Sequence, residues 1–427
     1  PHSNSEKHLN ETIEGFNKLE EWKKAGHKII LTTARSEKYR TETEQLLMEL
    51  DIKYDSLVMS LPAGPRILIN DHKPSKEFTN QASAIELVRD TGLAGIDISK
   101  YQKESDTVIE KTFQGGSFAK TYLIDKNIVR KHIIKNKNNK VHYEKLKRQV
   151  RDLERFSFLW SGSTPTILNE KDTDFDFSFD MEYLEGFSPV ADITNLKDQE
   201  KAILSLLGGM DDNVYRLRKE TDGISWLQNH YATKIFSKFE NYSQDVDLKN
   251  LIFNDSISIN GKTYSGLQKT LLNIDKHLVK PNFIRPIHGD FTLENVMWDG
   301  SQIKLIDMDG SDIFDAAELD LGKMCQSVFS KFNEWKNIDL KISVENNSYN
   351  CLDKYFSLDL ENNLTKNIIL EWCRILNDDR DTVVNKGIFY MCMYFIRFVP
   401  FRMNVSRDHG IFALLMAIVW LNKLNGK

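Results

Sequence analysis

The sequence has few of the residues that build a disulfide framework or a zinc centre. It contains four cysteines in 427 residues, and their positions lack the short spacings of metal-ligand motifs. The four are Cys325, Cys351, Cys373 and Cys392. We therefore predict reduced, packed thiols in a cytoplasmic protein rather than an extracellular disulfide scaffold.

A strong charge of one sign and a membrane-length apolar run are also missing. The net charge is −5, which argues against nucleic acid as a partner. The basic stretch 126–151 is interrupted by Asn and Glu, so we interpret it as a solvated face or a field that attracts phosphate. The most apolar segment, 410–421, is too short to span a membrane and predicts a buried helix. We see no signal peptide, internal repeat or low-complexity tract, and the length allows two to three domains.

The most informative residues lie in two neighbouring segments. Residues 287–295 read IHGDFTLEN, and residues 303–309 read IKLIDMD. Phosphoryl transfer from a Mg-nucleotide needs one carboxylate that orients and deprotonates the attacking hydroxyl, and an amide and a second carboxylate that hold the metal against the phosphates. We therefore predict Asp290 as the general base and Asn295 and Asp307 as metal ligands.

These segments resemble the aminoglycoside phosphotransferase and choline kinase family, whose catalytic loop reads HGDxxxxN and whose metal-binding strand reads IDxx. The matching positions are His288, Gly289, Asp290, Asn295, Ile306 and Asp307. The family often has Trp and then an acid after the metal-binding Asp, whereas this chain has Met308 and Asp309. A later element, Asp320-Leu321-Gly322, resembles the start of a family helix, and we interpret it as a cap and packing feature.

The resemblance implies a two-lobed α+β kinase-like fold with a large helical C-terminal lobe. We assign residues 106–185 to the N-terminal lobe and 186–427 to the C-terminal lobe, after a linker over 97–106. It also implies ATP or GTP and Mg²⁺ as cofactors. The implied acceptor is a small molecule with a hydroxyl group, such as a sugar, a polyol or an amino alcohol. The oligomeric state stays open.

A phosphate-binding turn and a lysine are expected upstream. Two predicted strands, 108–113 and 118–124, flank a turn that contains Gly115, Gly116 and Ser117. Glycines let backbone amides approach phosphate oxygens closely, although an ordinary hairpin turn has the same letters. The next strand, 128–133, follows directly after this hairpin.

That strand carries Lys131 where the family has its phosphate-pairing lysine, and we prefer it to Arg130. The family orients this lysine with an acid on the following helix, predicted over 143–159. Glu144, Asp152 and Glu154 are candidates there, and we favour Glu154, although solvated charge pairs explain any one of them.

The resemblance also implies a hinge between the lobes. Residues 177–186 alternate like a strand that stops at a glycine, and backbone groups from Glu182 to Leu184 would meet the adenine edge. A plain core strand that ends in a glycine turn explains the same letters.

The first hundred residues follow a different pattern. A short apolar strand over 27–35 contains Thr32 and Thr33, a helix follows, and further short strands lie at 56–59 and 66–71. Such alternation of strands and helices predicts an α/β layer with parallel strands.

This region, 1–98, resembles part of a haloacid dehalogenase-type phosphatase domain. That domain is a Rossmann-like α/β fold, similar to those found in capsule and surface-polysaccharide biosynthesis. The resemblance implies Thr32 or Thr33 as the phosphate-binding hydroxyl, Arg66 as a cationic partner and Asp71 as the late metal acid. Strand-end caps and solvated charges account for the same residues equally well.

The first motif of such phosphatases is missing from the sequence. Their nucleophilic Asp lies in a DxDxT segment that would precede Pro1, and without it no phosphoaspartyl intermediate forms, so we expect no phosphatase activity. A bifunctional phosphatase and kinase is the alternative if that segment lies upstream. Residues 305–311 also read like a DxDG motif, but their use in the first sheet would need a long crossing and would leave His288-Gly289-Asp290 unexplained.

Two interpretations stay open for the residues that would bind the acceptor, and two for the activity. Asp312, Asp315 and Glu318 are candidates for binding a cationic acceptor, and late aromatics are candidates for stacking, although at helical spacing they are typical of a core. These aromatics are Tyr390, Tyr394, Phe395, Phe398 and Phe401. The chain is either an active kinase or a nucleotide-binding pseudoenzyme or regulatory module. The presence of every predicted catalytic, metal and lysine position favours the kinase.

Overall fold

A computed structural model provides the three-dimensional structure of the chain, which divides into two compact units, Pro1–Asp106 and Thr107–Lys427. The structure describes residues 17–62, 85, 109–113, 119–124, 126–135, 139–173, 176–242, 244–309 and 314–426.

The first unit contains one parallel strand pair in its described part. A helix over 17–24 (α1) precedes β1 (Ile30–Thr32), α2 (Arg40–Glu49) and β2 (Ser56–Val58). β1 and β2 pair in parallel, with Leu31 opposite Leu57, as the α/β pattern of the sequence predicts. The expected strand over 66–71 lies outside the described residues, so the haloacid dehalogenase-like domain stays a prediction.

The second unit begins with a five-stranded antiparallel sheet. Its strands are β3 (Ile109–Phe113), β4 (Lys120–Ile124), β5 (Ile128–Ile134), β6 (Ile167–Asp172) and β7 (Asp176–Glu182). The strand order is β3-β4-β5-β7-β6, and each neighbouring pair is antiparallel. Between β5 and β6 the chain forms the 20-residue helix α3 (Lys140–Leu159). This lobe therefore has the strands and the helix that the kinase-like interpretation predicted.

The rest of the second unit is mainly helical and has three small sheets among its described residues. Its short strands are β8 (Ser188–Pro189), β9 (Lys219–Glu220), β10 (Ile257–Ile259), β11 (Lys262–Tyr264), β12 (Phe283–Arg285), β13 (Val296–Trp298), β14 (Ile303–Leu305), β15 (Asp315–Ala316), β16 (Ser343–Glu345) and β17 (Ser348–Asn350). Its helices are α4 (Leu196–Met210), α5 (Gly223–His230), α6 (Ser237–Tyr242), α7 (Val246–Phe253), α8 (Leu267–Asn273), α9 (Lys276–Val279), α10 (Ala317–Val328), α11 (Phe332–Trp335), α12 (Asn363–Leu376), α13 (Arg380–Met403) and α14 (Arg407–Leu424).

Helices α10, α13 and α14 form the centre of the helical lobe. α14 is buried from His409 to Asn422, which agrees with the buried helix predicted for this apolar segment. α10 lies so close to α13 that a Cβ on Gly322 would stand 2.6 Å from the Cβ of Tyr390. Glycine is therefore required for packing at the third position of the Asp320-Leu321-Gly322 element.

Two further predictions concern residues of this lobe. All four cysteines are free, and burial raises the pKa of the Cys325 and Cys392 thiols well above the ordinary value. Within the described ranges, no helix has the length and apolar character needed to cross a bilayer.

Candidate active site

The HGD loop, residues 286–292, connects β12 to the short 3₁₀ turn before β13. His288 is fully buried, and Gly289 has φ +82°, a left-handed conformation that favours glycine. The buried Asp320 carboxylate of α10 accepts hydrogen bonds from the backbone N–H groups of His288 (2.9 Å) and Gly289 (2.8 Å). It also accepts one from the Tyr215 hydroxyl at 2.9 Å.

Asp320 thus anchors the loop rather than capping its own helix, whose N-cap is Ala316. Burial raises the pKa of the Asp320 carboxyl to about 7, although its three donors favour the ionised form. The interpretation of Asp320 as a helix cap is therefore wrong, and its packing role belongs to Gly322.

Asp290 is half-buried in this loop, and its carboxylate has two partners. Lys323 of α10 contacts one carboxylate oxygen at 2.9 Å. The Asn295 amide donates to the Asp290 carbonyl at 2.8 Å and to the other carboxylate oxygen at 3.1 Å. Burial alone would raise the pKa of Asp290, but the ammonium of Lys323 outweighs it, so the pKa is lowered. Asp290 is therefore an ionised carboxylate with a fixed orientation.

Asp307 lies two residues after the end of β14, beside the HGD loop. The Ile306 N–H donates to the Asn295 carbonyl at 3.0 Å, which joins the two predicted metal-ligand segments. Asp307 has φ +57°, a conformation that L-residues seldom adopt outside functional or turn positions. Its side chain is 41% exposed and contacts the Lys131 ammonium. The carboxylate is thus accessible to a ligand from one side.

Lys131 points into the lobe because β5 alternates. Val129, Lys131 and Ile133 are buried, whereas Arg130 is on the other face and forms a bidentate ion pair with Asp180 at 2.7 and 2.9 Å. The preference for Lys131 over Arg130 therefore agrees with the geometry. Burial and the nearby Lys145 lower the pKa of Lys131 to about 7.

The helix partner of Lys131 is a glutamine, so the favoured assignment of Glu154 is wrong. Gln149 accepts from the Lys131 ammonium at 3.1 Å and donates to the Met308 carbonyl at 3.2 Å. Gln149 lies on the buried face of α3, while Glu154, five residues later, is exposed. A helix turns about 100° per residue, so Glu154 points roughly 140° away from Gln149.

The donors around Asp307 fit a hard divalent cation. Both hydrogen bonds of the Asn295 side-chain amide nitrogen go to Asp290, which leaves the side-chain Oδ1 of Asn295 available. Asp307 contributes a partly exposed carboxylate. Mg²⁺ prefers such oxygen ligands and usually keeps several waters. In the described ranges, no cluster of three or more His, Cys, Asp and Glu side chains could hold a metal. A metal here would therefore need water or phosphate oxygens in addition to these two residues.

The structure describes only one of the two nucleotide-binding segments that the sequence predicts. Gly115, Gly116 and Ser117 lie outside the described residues, so the phosphate cradle is untested. At the hinge, the Glu182 N–H donates to Thr166 and the Tyr183 N–H to Asn127. Those two N–H groups are used within the lobe, and the Leu184 N–H is the remaining donor of the predicted stretch.

The phosphatase-like residues form no described site. Thr32 is exposed in β1, and the Thr33 hydroxyl accepts from the Arg35 N–H at 3.1 Å, as in an ordinary strand-end turn. Arg66 and Asp71 lie outside the described residues. β14 pairs with β13, so the segment after it is not a strand-end motif of the first sheet, which contradicts the permuted-phosphatase alternative.

A cavity opens beside the HGD loop, where an acceptor would be expected. Gly289, Asp309 and Lys323 line the side next to Asp290. The remaining lining residues are His230, Lys234, Ile287, Asp315, Leu319, Tyr394, Arg397, Phe398 and Phe401.

Not all the predicted acceptor residues belong to this cavity. Glu318 is 2% exposed and pairs with Lys386, and Tyr390 and Phe395 are fully buried core residues, so these three assignments are wrong. Asp315 does line the cavity, where it accepts from the Trp226 indole at 3.0 Å. Asp312 lies outside the described residues.

Comparisons with known proteins found neither a matching family model nor a matching curated protein. The solved structures that resemble the chain include the following three, each with 12% identity to it. A Haemophilus somnus 129PT protein assigned as a fructosamine-3-kinase aligns over 74% of this chain and 92% of its own, with a TM-score of 0.46. An aminoglycoside phosphotransferase bound to GDP aligns over 75% and 93% with a TM-score of 0.41, and one bound to streptomycin and ATP over 73% and 93% with a TM-score of 0.37. Likeness at this level carries no argument about chemistry, which depends on the side chains of the site.

Proposed function

We propose that this chain is a Mg²⁺- and ATP- or GTP-dependent phosphotransferase that phosphorylates a hydroxyl group of a small molecule. One observation carries the proposal. A continuous set of contacts connects Lys131 to Asp307, the Asp307 segment to Asn295, Asn295 to Asp290, and Asp290 to Lys323. This set borders a cavity that residues from several elements line.

The residues divide the chemistry between them. Asp290 would hold the acceptor hydroxyl by a hydrogen bond and take its proton as the new oxygen–phosphorus bond forms and the bond from the γ-phosphorus to the leaving nucleoside diphosphate breaks. Lys323 keeps Asp290 ionised until then. Lys131 would pair with nucleotide phosphates, with Gln149 fixing its position in place of the usual acid. Asn295 and Asp307 would hold Mg²⁺, which offsets the charge of the phosphates when it is bound.

The test is a panel of hydroxyl compounds incubated with Mg²⁺ and ATP or GTP. We expect nucleoside diphosphate to form with at least one compound, and mass spectrometry to detect a product heavier by one phosphoryl group. The Lys131→Met variant should lose most of its affinity for the nucleotide. Titration calorimetry of Mg-ATP separates the alternatives, because a pseudoenzyme binds nucleotide without transfer. Absence of both binding and transfer would contradict the proposal.

A further inference from the structure

Some of the charged side chains that line the cavity beside Asp290 form ion pairs within the protein, and others do not. Lys323 is paired with Asp290 at 2.9 Å, and Asp309 is paired with Lys145 at 2.8 Å. Each of these charges next to the proposed base is therefore neutralised by a neighbour within the protein.

The cavity lining also carries two other cations, Lys234 and Arg397. Neither forms an ion pair in the part of the chain that the structure describes, and the guanidinium of Arg397 stands 5.3 Å from the ring centre of Tyr394. Lys234 belongs to the π-helical turn Tyr231–Phe236, which packs against α13, the helix of Arg397. Two long cationic side chains from neighbouring elements thus line the same cavity.

A buried imidazole, His230, lines the same cavity near these cations. His230 is 8% exposed and stacks on Trp226 with 4.9 Å between ring centres. Among the described residues, its Nε2 has no hydrogen-bond partner. Burial, Arg397 and Lys234 lower the pKa of His230 to about 3, so the ring is neutral at physiological pH. A buried polar atom without a partner is costly unless a ligand or water pairs with it.

Resting on the proposed function, we propose that the acceptor carries an anionic group, a carboxylate or a phosphate. That group binds Arg397 and Lys234 near His230, while the acceptor hydroxyl meets Asp290. Arginine forms strong charge-assisted hydrogen bonds with either anion. Asp315 is the opposing charge in the cavity, but it already accepts from Trp226 and from the Ala316 N–H. A cationic acceptor would meet two cations that no described carboxylate pairs with.

The rest of the lining indicates the kind of molecule that carries this anion. Tyr394 and Phe398 add aromatic surface to the lining, and the Tyr394 ring contacts both Lys323 and Arg397. Aromatic faces beside polar groups suit a hydroxylated ring or short polyol. The inferred substrate class is therefore a sugar acid or a sugar phosphate, rather than an amino sugar or an amino alcohol.

The decisive experiment measures binding and turnover with matched acceptors. The set contains neutral sugars, the corresponding sugar acids and sugar phosphates, and amino sugars. Binding is measured by calorimetry on Asp290→Asn with Mg-ADP, so that it does not depend on turnover. We expect the acids or the phosphates to bind at least tenfold more tightly than the neutral parents, and the stronger of the two identifies the anion.

Charge-removing variants of the cavity wall provide the second arm. Arg397→Gln and Lys234→Gln should each raise the Kd or KM of the anionic acceptor about 10- to 100-fold, because one charge-assisted hydrogen bond is lost. Neutral sugars should be unaffected. Lys238→Gln, an exposed lysine of α6 outside the cavity lining, is the matched control.

The outcomes separate this inference from the proposed function. Phosphoryl transfer that favours neutral or amino sugars, with KM unchanged in Arg397→Gln, would overturn the anionic acceptor and leave the kinase standing. Tight binding of anionic sugars without any transfer would support the cavity assignment and refute the kinase. Equal binding of charged and neutral sugars to Asp290→Asn would overturn the inference whatever the turnover.

Discussion

Replacement of the proposed base by its amide, Asp290→Asn, tests the chemical role of the HGD loop most directly. The substitution keeps the shape of the side chain and leaves the Asn295 hydrogen bond to the Asp290 carbonyl intact. It removes the carboxylate that would take the proton from the acceptor. Because general-base catalysis typically contributes about 10²- to 10⁴-fold, we expect turnover to fall by that factor.

The structure also sets the expected change in stability. The ion pair of Asp290 with Lys323 is partly buried, with side-chain exposures of 35% and 16%. The ammonium of Lys323 keeps its contact with the Tyr394 ring, 4.4 Å away, so it is not left without a partner. A charge-assisted hydrogen bond of this kind contributes about 1.5–3 kcal/mol, and an asparagine oxygen recovers part of it. We therefore expect a loss of unfolding free energy of at most about 2 kcal/mol.

A matched control exists a few residues along the chain. Glu294 pairs with Lys336, and the side-chain exposures of that pair, 40% and 17%, are nearly those of the Asp290 pair. Glu294→Gln should lower stability by a similar amount and leave turnover close to the parent. Thermal melting, Mg-ATP calorimetry and nucleoside diphosphate formation on the parent and both variants separate the effects. A stable Asp290→Asn protein that turns over like the parent would refute the assignment of the base.

Three further substitutions test other residues of the second unit. Asp307→Ala should weaken Mg-dependent ATP binding without unfolding the chain, and equal Mg-ATP affinity by calorimetry would contradict the metal role. Asp320→Asn sets an amide N–H₂ against the loop N–H groups, so turnover and the melting temperature should fall while Mg-ATP affinity is kept. Lys386→Met leaves Glu318 buried without its cation, which should cost about 3–5 kcal/mol in denaturant unfolding. Burial raises the pKa of Glu318, so its ionisation destabilises the folded state. The loss of unfolding free energy in Lys386→Met should therefore grow as the pH rises above 4.5, the ordinary pKa of a glutamate. This loss should shrink in the double variant that also carries Glu318→Gln.

The sequence predicted the parts of the site that depend on local patterns. Alternation in one strand is enough to bury Lys131 with Val129 and Ile133. The short hairpin of β13 and β14 brings Asn295 and Asp307 together, because the residues that flank a two-stranded pair are neighbours. Motif spacing therefore carried the prediction of the base and the metal ligands.

Residues that meet through tertiary packing were not predicted. Lys323 reaches Asp290 from α10, and no local pattern shows which face of that helix meets the HGD loop. Gln149 was within reach, since it lies three residues after Leu146 and four before Leu153 on the buried face of α3. The family resemblance implies an acid as the partner of Lys131, so it does not point to a glutamine. His230 and Arg397, which we propose to bind the anionic group of the acceptor, are far apart in sequence, so only the fold brings them into one cavity.

The same helix, α10, fixes both the backbone and the side chain of the proposed base. Asp320 holds the loop N–H groups, and Lys323, three residues later, holds the Asp290 carboxylate. The distance between α10 and α13 is set at Gly322, where an added Cβ would meet backbone and Cβ atoms of Tyr390 at 2.6 to 2.7 Å. Backbone atoms cannot rotate away as a side chain can, so the two helices must separate.

Gly322→Ala should therefore act on the site through the packing of the two helices. Overpacking of this kind costs about 1–3 kcal/mol, and the shift of α10 should also move Lys323 and the HGD loop, lowering turnover. Gly208→Ala in α4 is the matched control, because nothing lies within 4 Å of its added Cβ. Alanine there should be neutral or stabilise the helix by up to about 1 kcal/mol. Equal melting temperatures and turnover for both variants would show that the approach of α10 to α13 does not position the base.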